Sequence, residues 1–434
     1  MDKMADVLGR AGAWCGQNKY LSAIKNAFQN FMPLTIAGAI GVLWCNVLVN
    51  DQTGLGLFFK PIMALDFLNP AFQAVNFCTI SCITVGITLG IAQEIGVWNM
   101  GAERAGYIPG LVGLAAWLSV TNTSHMVDGA KEAFTGIAGN ELGATGLFTG
   151  MIIGVLSVEL FCFFEKQDAL KIKMPEQVPP GVARAFEVLV PATITLIITA
   201  CIGSACYNLT GLYLNDVIKN GIQGPLGAVG ATVPGVMIIY LVIMLFWLVG
   251  IHGNNMLSAV KEALFTPLAL ENVEAFNKGE TPKNIINMYF LQMCGEFGGS
   301  GVTIGLVIAI IIFGKREDNK AIATLSLVPG LFNINETVTF GIPMVLNPIL
   351  GIPFVVAPLV TIIIGYVLTV IGFCPVACLT VPWTTPPIVF GFLATGANVM
   401  GAVTQAILIV VSTVIYVPFL ISYEKYQNKQ AAEA

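Results

Sequence analysis

Between Thr337 and Tyr423 the chain runs 87 residues without one Asp, Glu, Lys or Arg. A water-soluble domain cannot keep so long a stretch free of charge, because about a quarter of the residues in such a domain are charged. Hydrophobic residues make up 56% of this chain and charged residues 10%, and the mean hydropathy is +0.80, so most of it is suited to lipid. At about 17 to 25 apolar residues per crossing, the length allows about ten membrane-spanning helices with their connections. The expected fold is therefore an all-α integral membrane protein. The charge that closes the uncharged run on its N-terminal side is Glu336, within Asn333-Ile334-Asn335-Glu336. A carboxylate at the lip of such a stretch is a functional-site candidate by default.

The clearest apolar runs lie at about 31–50, 74–93, 107–121, 144–164, 186–207, 226–250, 302–314, 352–373 and 399–421, and some are too short to cross alone. Before the first run, Leu21, Ile24, Phe28 and Phe31 recur at helical spacing, which suits an amphipathic N-terminal segment (residues 1–30) lying on the membrane and leading into the span. Lys3, Arg10, Lys19 and Lys25 interrupt the apolar positions, so the segment does not read as a signal peptide, and they favour a cytoplasmic N-terminus. Lys425 and Lys429 place the C-terminus on the same side, so the number of crossings is expected to be even. The linker Glu165 to Arg184, with Lys166, Lys171, Lys173, Pro175, Pro179 and Pro180, also reads as cytoplasmic. The cations of 315–320 point inward too, which simple alternation of spans contradicts unless a re-entrant segment intervenes. The formal net charge of −5 argues against a nucleic-acid partner. The cysteines, mostly in apolar segments, show no metal-ligand spacing and read as small packing residues, and no segment asks for a metal, ion or other cofactor.

The polar, glycine-rich stretch at about 208–225 marks a division between residues 31–225, with conventional spans, and residues 226–434. In the second part apolar segments are repeatedly broken, at Gly250 to Asn255, Gly295 to Gly301, Pro329 to Glu336 and Pro382 to Pro387. Irregular backbone at membrane depth is tolerated where it is buried in protein or lines a wet cavity, and transporters bind substrate at such breaks. Four constellations sit there. Trp247 to Asn255 holds His252 between glycines; it fits a hydroxyl-binding imidazole or an interfacial His capping a span. Glu336 with Asn333 and Asn335 supplies the mixed donors and acceptors that sugar hydroxyls require, or is a loop Glu in water. Pro382-Trp383-Thr384-Thr385-Pro386-Pro387 forms a stiff turn in which Trp383 offers a face to a sugar ring or joins the interfacial aromatic belt. In Glu296-Phe297-Gly298-Gly299-Ser300-Gly301 three glycines permit close backbone approach, without the Lys of a phosphate loop. The second histidine, His125, lies beside Asp128 and Lys131 and reads as structural.

Taken together these segments resemble the membrane (IIC) component of the bacterial sugar phosphotransferase system, in the lactose, cellobiose and diacetylchitobiose family. The resemblance covers nearly the whole chain. It starts at Leu21-Ser22-Ala23-Ile24-Lys25-Asn26 and Met32-Pro33-Leu34. It is strongest at Gly250-Ile251-His252-Gly253, Gly299-Ser300-Gly301-Val302-Thr303, Phe332-Asn333-Ile334-Asn335-Glu336 and Pro382 to Pro387.

The resemblance implies a homodimer in the bacterial inner membrane. Its first five spans would form the scaffold and dimer contact. Its later spans and re-entrant hairpins would carry a disaccharide across by an elevator-like displacement. A cytoplasmic IIB protein with a phosphorylated cysteine would then phosphorylate the sugar, usually at the 6-hydroxyl; no soluble phospho-acceptor domain lies within the chain, so IIB is an expected partner. Carried over by motif, Glu336 would accept a hydrogen bond from the reacting hydroxyl with His252 beside it. Trp247, Gly253, Asn254, Glu296, Asn333, Asn335, Trp383 and Thr384 complete the expected sugar contacts. A proline commonly follows the glutamate in this family. Here Thr337 stands in its place, which leaves the local backbone open. The competing class is an ion-coupled secondary transporter with Glu336 as the proton or sodium site; a membrane scaffold without substrate would have no use for broken polar helices. Which disaccharide is carried depends on pocket hydrogen bonds that the sequence does not display.

Overall fold

The long uncharged runs become helices. The computed structural model describes residues 17–51, 55–125, 134–175, 177–342, 344 and 347–433, with Arg10 and Trp14. Among them five helices are long and apolar enough to cross a membrane: Lys19–Leu48, Ala144–Glu165, Pro180–Thr210, Gly351–Val370 and Val399–Glu433. Two further pairs are bent at a break, Lys60–Ser81 with Ile83–Met100 by 41° and Met288–Val302 with Ile304–Phe313 by 59°. Ile108–Val120 and Val233–Leu248 are shorter apolar helices. The expected fold class holds, but the figure of about ten crossings is not fixed by these helices, because breaks cut several apolar runs into pieces shorter than a bilayer. The run at 302–314 is one such piece: it is the second limb of the 59° bend.

The chain divides into two compact units. One holds Gln17–Gly38 and Ala74–Gly227; the other holds Ala39–Gln73 and Ala228–Ala434. In the first, helices α1 (Lys19–Leu43), α2 (Ile83–Met100), α3 (Ile108–Val120), α4 (Ala144–Glu165) and α5 (Pro180–Thr210) supply the frame. Small residues set their spacing: a Cβ on Gly113 would lie 2.3 Å from Ala92 Cβ, and one on Gly150 would lie 2.2 Å from Thr88 Oγ1. Close backbone approach of this kind replaces the hydrophobic drive that lipid does not provide. Polar groups at helix ends are paired. Lys19 meets Glu159 at 2.6 Å, Asn26 donates to Glu94 at 2.9 Å, and Glu165, only 2% exposed, lies 2.8 Å from Arg104 and 2.9 Å from Arg184. A buried carboxylate needs such partners. From Lys19 onward the segment expected to lie on the membrane surface is continuous with the span in α1, and its Lys19 and Asn26 pair with Glu159 and Glu94. His125 sits in a two-residue antiparallel pair, opposite Phe134.

In the second unit α6 (Val233–Leu248) leads through a short turn, α7 (Gly253–Met256), into α8 (Ser258–Asn277). Next come α9 (Met288–Gly295), α10 (Ile304–Phe313), α11 (Glu317–Leu331) and the short α12 (Glu336–Gly341). Then α13 (Gly351–Val370), α14 (Val389–Ala394) and the long α15 (Val399–Glu433) complete it. All four sequence breaks fall at the ends of these helices or in the joins between them. Gln405 on α15 ties two of them, accepting from the backbone N–H of Ile388 and of Gly391, both at 2.7 Å, and donating to Met293 O at 3.1 Å. Farther along α15, Glu424 is 5% exposed and accepts from the backbone N–H of Lys315 at 2.9 Å, from that of Arg316 at 3.3 Å and from Asn319 Nδ2 at 3.2 Å. It closes the open end of α11, which has no side-chain cap of its own.

Candidate functional site

His252 ends the turn after α6, where Gly250 takes a left-handed φ of +81° and lets the chain reverse. Its Nδ1 accepts the backbone N–H of Asn255 at 3.2 Å and so caps α7. That assigns the remaining hydrogen of the neutral ring to Nε2, and Nε2 lies 4.0 Å from Glu336 Oε1. The two groups the sequence singled out, 84 positions apart, converge. Their separation is too long for a direct hydrogen bond and leaves place for one oxygen that accepts from Nε2–H and donates to the carboxylate. Both side chains stay open, 36% and 49% exposed, as a substrate-binding pair requires.

The imidazole is backed by Trp247, with ring centroids 4.4 Å apart, and Trp247 in turn meets Phe354 edge-on at 6.3 Å. Trp247 is 3% exposed; it buttresses His252, while Trp383, 43% exposed, has a ring free to meet a ligand. Gly253 is required by packing, since a Cβ there would stand 2.0 Å from Ile243 O.

Glu336 opens α12, and the residues before it act as ties. Asn333 adopts φ +63°, a conformation Asn tolerates better than most residues. Its Oδ1 accepts the Gly298 N–H at 2.6 Å, and its Nδ2 donates to Trp383 O and, at 3.1 Å, to Thr385 O. One side chain therefore joins three broken segments. Asn335 donates to Ser300 O at 2.7 Å, beside Gly299, where φ is +89° and a Cβ would meet Asn335 Cγ at 2.6 Å. Asn333 and Asn335 thus place the carboxylate by holding the loops around it. Thr384 lies in the same turn, half-buried. Thr337 is the second residue of α12, so the threonine that departs from the usual proline is accommodated within a helical first turn.

Glu296 and Asn254 are bound into a polar chain. Tyr240 Oη donates to Glu296 Oε1 at 2.7 Å, and the same oxygen is ion-paired with Lys261 Nζ. Lys261 also donates to Asn254 Oδ1 at 3.2 Å, and Asn254 Nδ2 donates to Ser300 Oγ at 2.9 Å. Sequence reasoning passed over Lys261 and Tyr240. The signal was available for Lys261, a lone cation seven residues beyond Asn254 in an otherwise weakly charged stretch, and ionisable groups in such surroundings are rarely idle. Its partner Glu296 lies 35 residues away, and no local pattern announces that pairing.

Comparison with known proteins accords with this arrangement. Residues 25–358 match the family model described as phosphotransferase system, EIIC. The oligo-beta-mannoside-specific EIIC component of Bacillus subtilis (strain 168) is 33% identical over 429 residues, covering 98% of this chain and 94% of that protein. The lactose-specific EIICB component of Streptococcus mutans serotype c is 32% identical, over 96% of this chain and 71% of that protein. The crystal structure of the transporter ChbC, the IIC component of the N,N'-diacetylchitobiose-specific phosphotransferase system, superposes with a TM-score of 0.88 at 30% identity, covering 97% of each chain. A protein matched end to end in both sequence and fold, with its broken helices converging on His252 and Glu336, belongs to the sugar permeases (EIIC components) of the phosphotransferase system, in their lactose, cellobiose and diacetylchitobiose family.

Proposed function

We propose that this permease binds a disaccharide at the His252–Glu336 site, moves it inward and presents it to a phosphorylated IIB protein. Residues 31–225 serve as the scaffold of a homodimer in the bacterial inner membrane, both termini facing the cytoplasm, and residues 226–434 carry the sugar in an elevator-like displacement. The observation that carries the reading is the 4.0 Å approach of His252 Nε2 to Glu336 Oε1 at the meeting of broken helices. A sugar hydroxyl placed there accepts from Nε2–H and donates to the carboxylate, which turns one lone pair of its oxygen outward. In phosphoryl transfer the S–P bond of the phosphocysteine breaks as the O–P bond to the sugar forms. The hydroxyl proton passes to Glu336 and the thiolate leaves on IIB. Because such transition states are loose, the site contributes mainly position and charge. Trp383 supplies the face on which the sugar ring stacks, and Gly253, Asn254 and Thr384 line its edge. The relatives named for oligo-beta-mannosides, lactose and N,N'-diacetylchitobiose support a disaccharide cargo, and the relative named as an EIICB component supports IIB as the phosphoryl donor.

Uptake of labelled disaccharide into vesicles, with and without phosphorylated IIB, tests the reading. Accumulation of sugar phosphate that depends on IIB is the expected result. Accumulation of unmodified sugar that collapses with an ionophore would make the protein an ion-coupled transporter instead.

A further inference from the structure

Two carboxylates, Glu296 and Glu336, stand among the broken helices, and an incoming phosphoryl group is itself anionic. Among the described residues, Glu336 has only the imidazole of His252 against it, 4.0 Å away. Glu296 is different: its Oε1 is paired with Lys261, whose side chain is 7% exposed, and bonded to Tyr240. We propose that Lys261 is a positioning residue of this site, cancelling the charge of Glu296 and fixing the amide of Asn254 so that one of its N–H groups faces the sugar.

The geometry works from the ammonium outward. Lys261 Nζ holds Asn254 Oδ1 at 3.2 Å, and an ammonium only donates, so the amide cannot turn over. With the oxygen fixed, Asn254 Nδ2 is directed to Ser300 Oγ at 2.9 Å, and among the described residues its second hydrogen has no partner. Asn254 follows His252 by two positions, so that free donor belongs to the same turn as the imidazole. Ser300 continues the chain: its carbonyl accepts from Asn335, the residue before Glu336. Lys261 on α8 therefore links the break after α6 to the break after α9 and, through Ser300, to the start of α12. Without the ammonium the amide is free to flip and Glu296, 18% exposed, becomes a second uncompensated anion in the path of the phosphoryl group.

The inference rests on the proposed transport and phosphorylation, and the test separates the two. Lys261→Met and the double variant Lys261→Met/Glu296→Gln are compared with wild type for equilibrium disaccharide affinity without IIB and for kcat of phosphorylation with IIB. In Lys261→Met both affinity and kcat are expected to fall at least about tenfold, one for the loosened amide and one for the uncovered charge. In the double variant kcat is expected to return to within about threefold of wild type while affinity stays about tenfold weak, because the charge is gone and the amide is still unanchored. A general structural lesion would not divide the two measurements this way. Wild-type behaviour of Lys261→Met, or recovery of both quantities or of neither in the double variant, overturns the proposal. If Lys261→Met does not fold, the double variant carries the test alone, since it leaves neither member of the Lys261–Glu296 pair charged without its partner. If wild type binds sugar but makes no phosphorylated product, the functional reading fails while the affinities still decide the role of Lys261 toward Asn254.

Discussion

Asn333 offers the sharpest test of how the broken helices are held. Its side chain accepts from Gly298 N–H and donates to the carbonyls of Trp383 and Thr385, and its backbone sits at φ +63°. Replacement by Ala removes three hydrogen bonds, each with a net contribution of about 1 kcal/mol. It also places an ordinary residue in the left-handed region, which costs about 1 kcal/mol more. The total is about 4 kcal/mol. Replacement by Gly removes the same bonds and relieves the backbone, so about 3 kcal/mol is lost. Asp keeps the acceptor for Gly298 but turns a carboxylate oxygen toward two carbonyls, and should fall no higher than Gly. The expected order of thermal midpoints in detergent is wild type, then Gly, then Ala, and disaccharide affinity should decline with it because Trp383 and Glu336 lose their common tie. An Ala variant as stable as wild type would refute the bridging role; an Ala variant more stable than Gly would refute the left-handed backbone.

Three other substitutions probe the site. Glu336→Gln should keep sugar affinity within about threefold, since the amide retains hydrogen bonds, while lowering phosphorylation at least about 100-fold through loss of the proton acceptor; unchanged product formation contradicts the assignment. Gly253→Ala drives a methyl against Ile243 O, backbone that cannot swing aside, and should lower stability by about 1 to 3 kcal/mol and weaken sugar binding, both visible in one ligand-dependent melting experiment. Thr337→Pro removes an N–H that the first turn of α12 leaves without an intrahelical partner and should leave stability within about 1 kcal/mol and affinity unchanged; a large loss of either would show that this N–H has a necessary partner.

The sequence marks where helices stop more clearly than what meets at the stops. Gly250, the glycines of 298–301, Asn333 and the prolines around Trp383 each impose a backbone that a helix cannot continue, so the breaks were legible from residue chemistry alone. His252 and Glu336 stand out as polar groups against an apolar background, but their approach to 4.0 Å across 84 positions was not legible. The surroundings of Trp247 were not legible either: an aromatic ring at the end of an apolar run suits a sugar contact and a buttress equally, and no local pattern displays its burial beside His252 and Phe354. The pairing of Glu296 with Lys261 was not legible, because the cation lies on α8, remote in sequence. The number of crossings escaped for the opposite reason, since hydropathy counts apolar residues and does not register a 59° bend within them.

The last turns of α15 carry most of the charge in that helix and resemble an expendable polar tail. Because Glu424 takes up the amide hydrogens where α11 begins, shortening the protein before that residue would unseal a helix whose sequence starts 107 positions earlier. The same helix leads, through Asn333, to Glu336, so the tail's anchorage and that carboxylate stand at the two ends of one short stretch of chain.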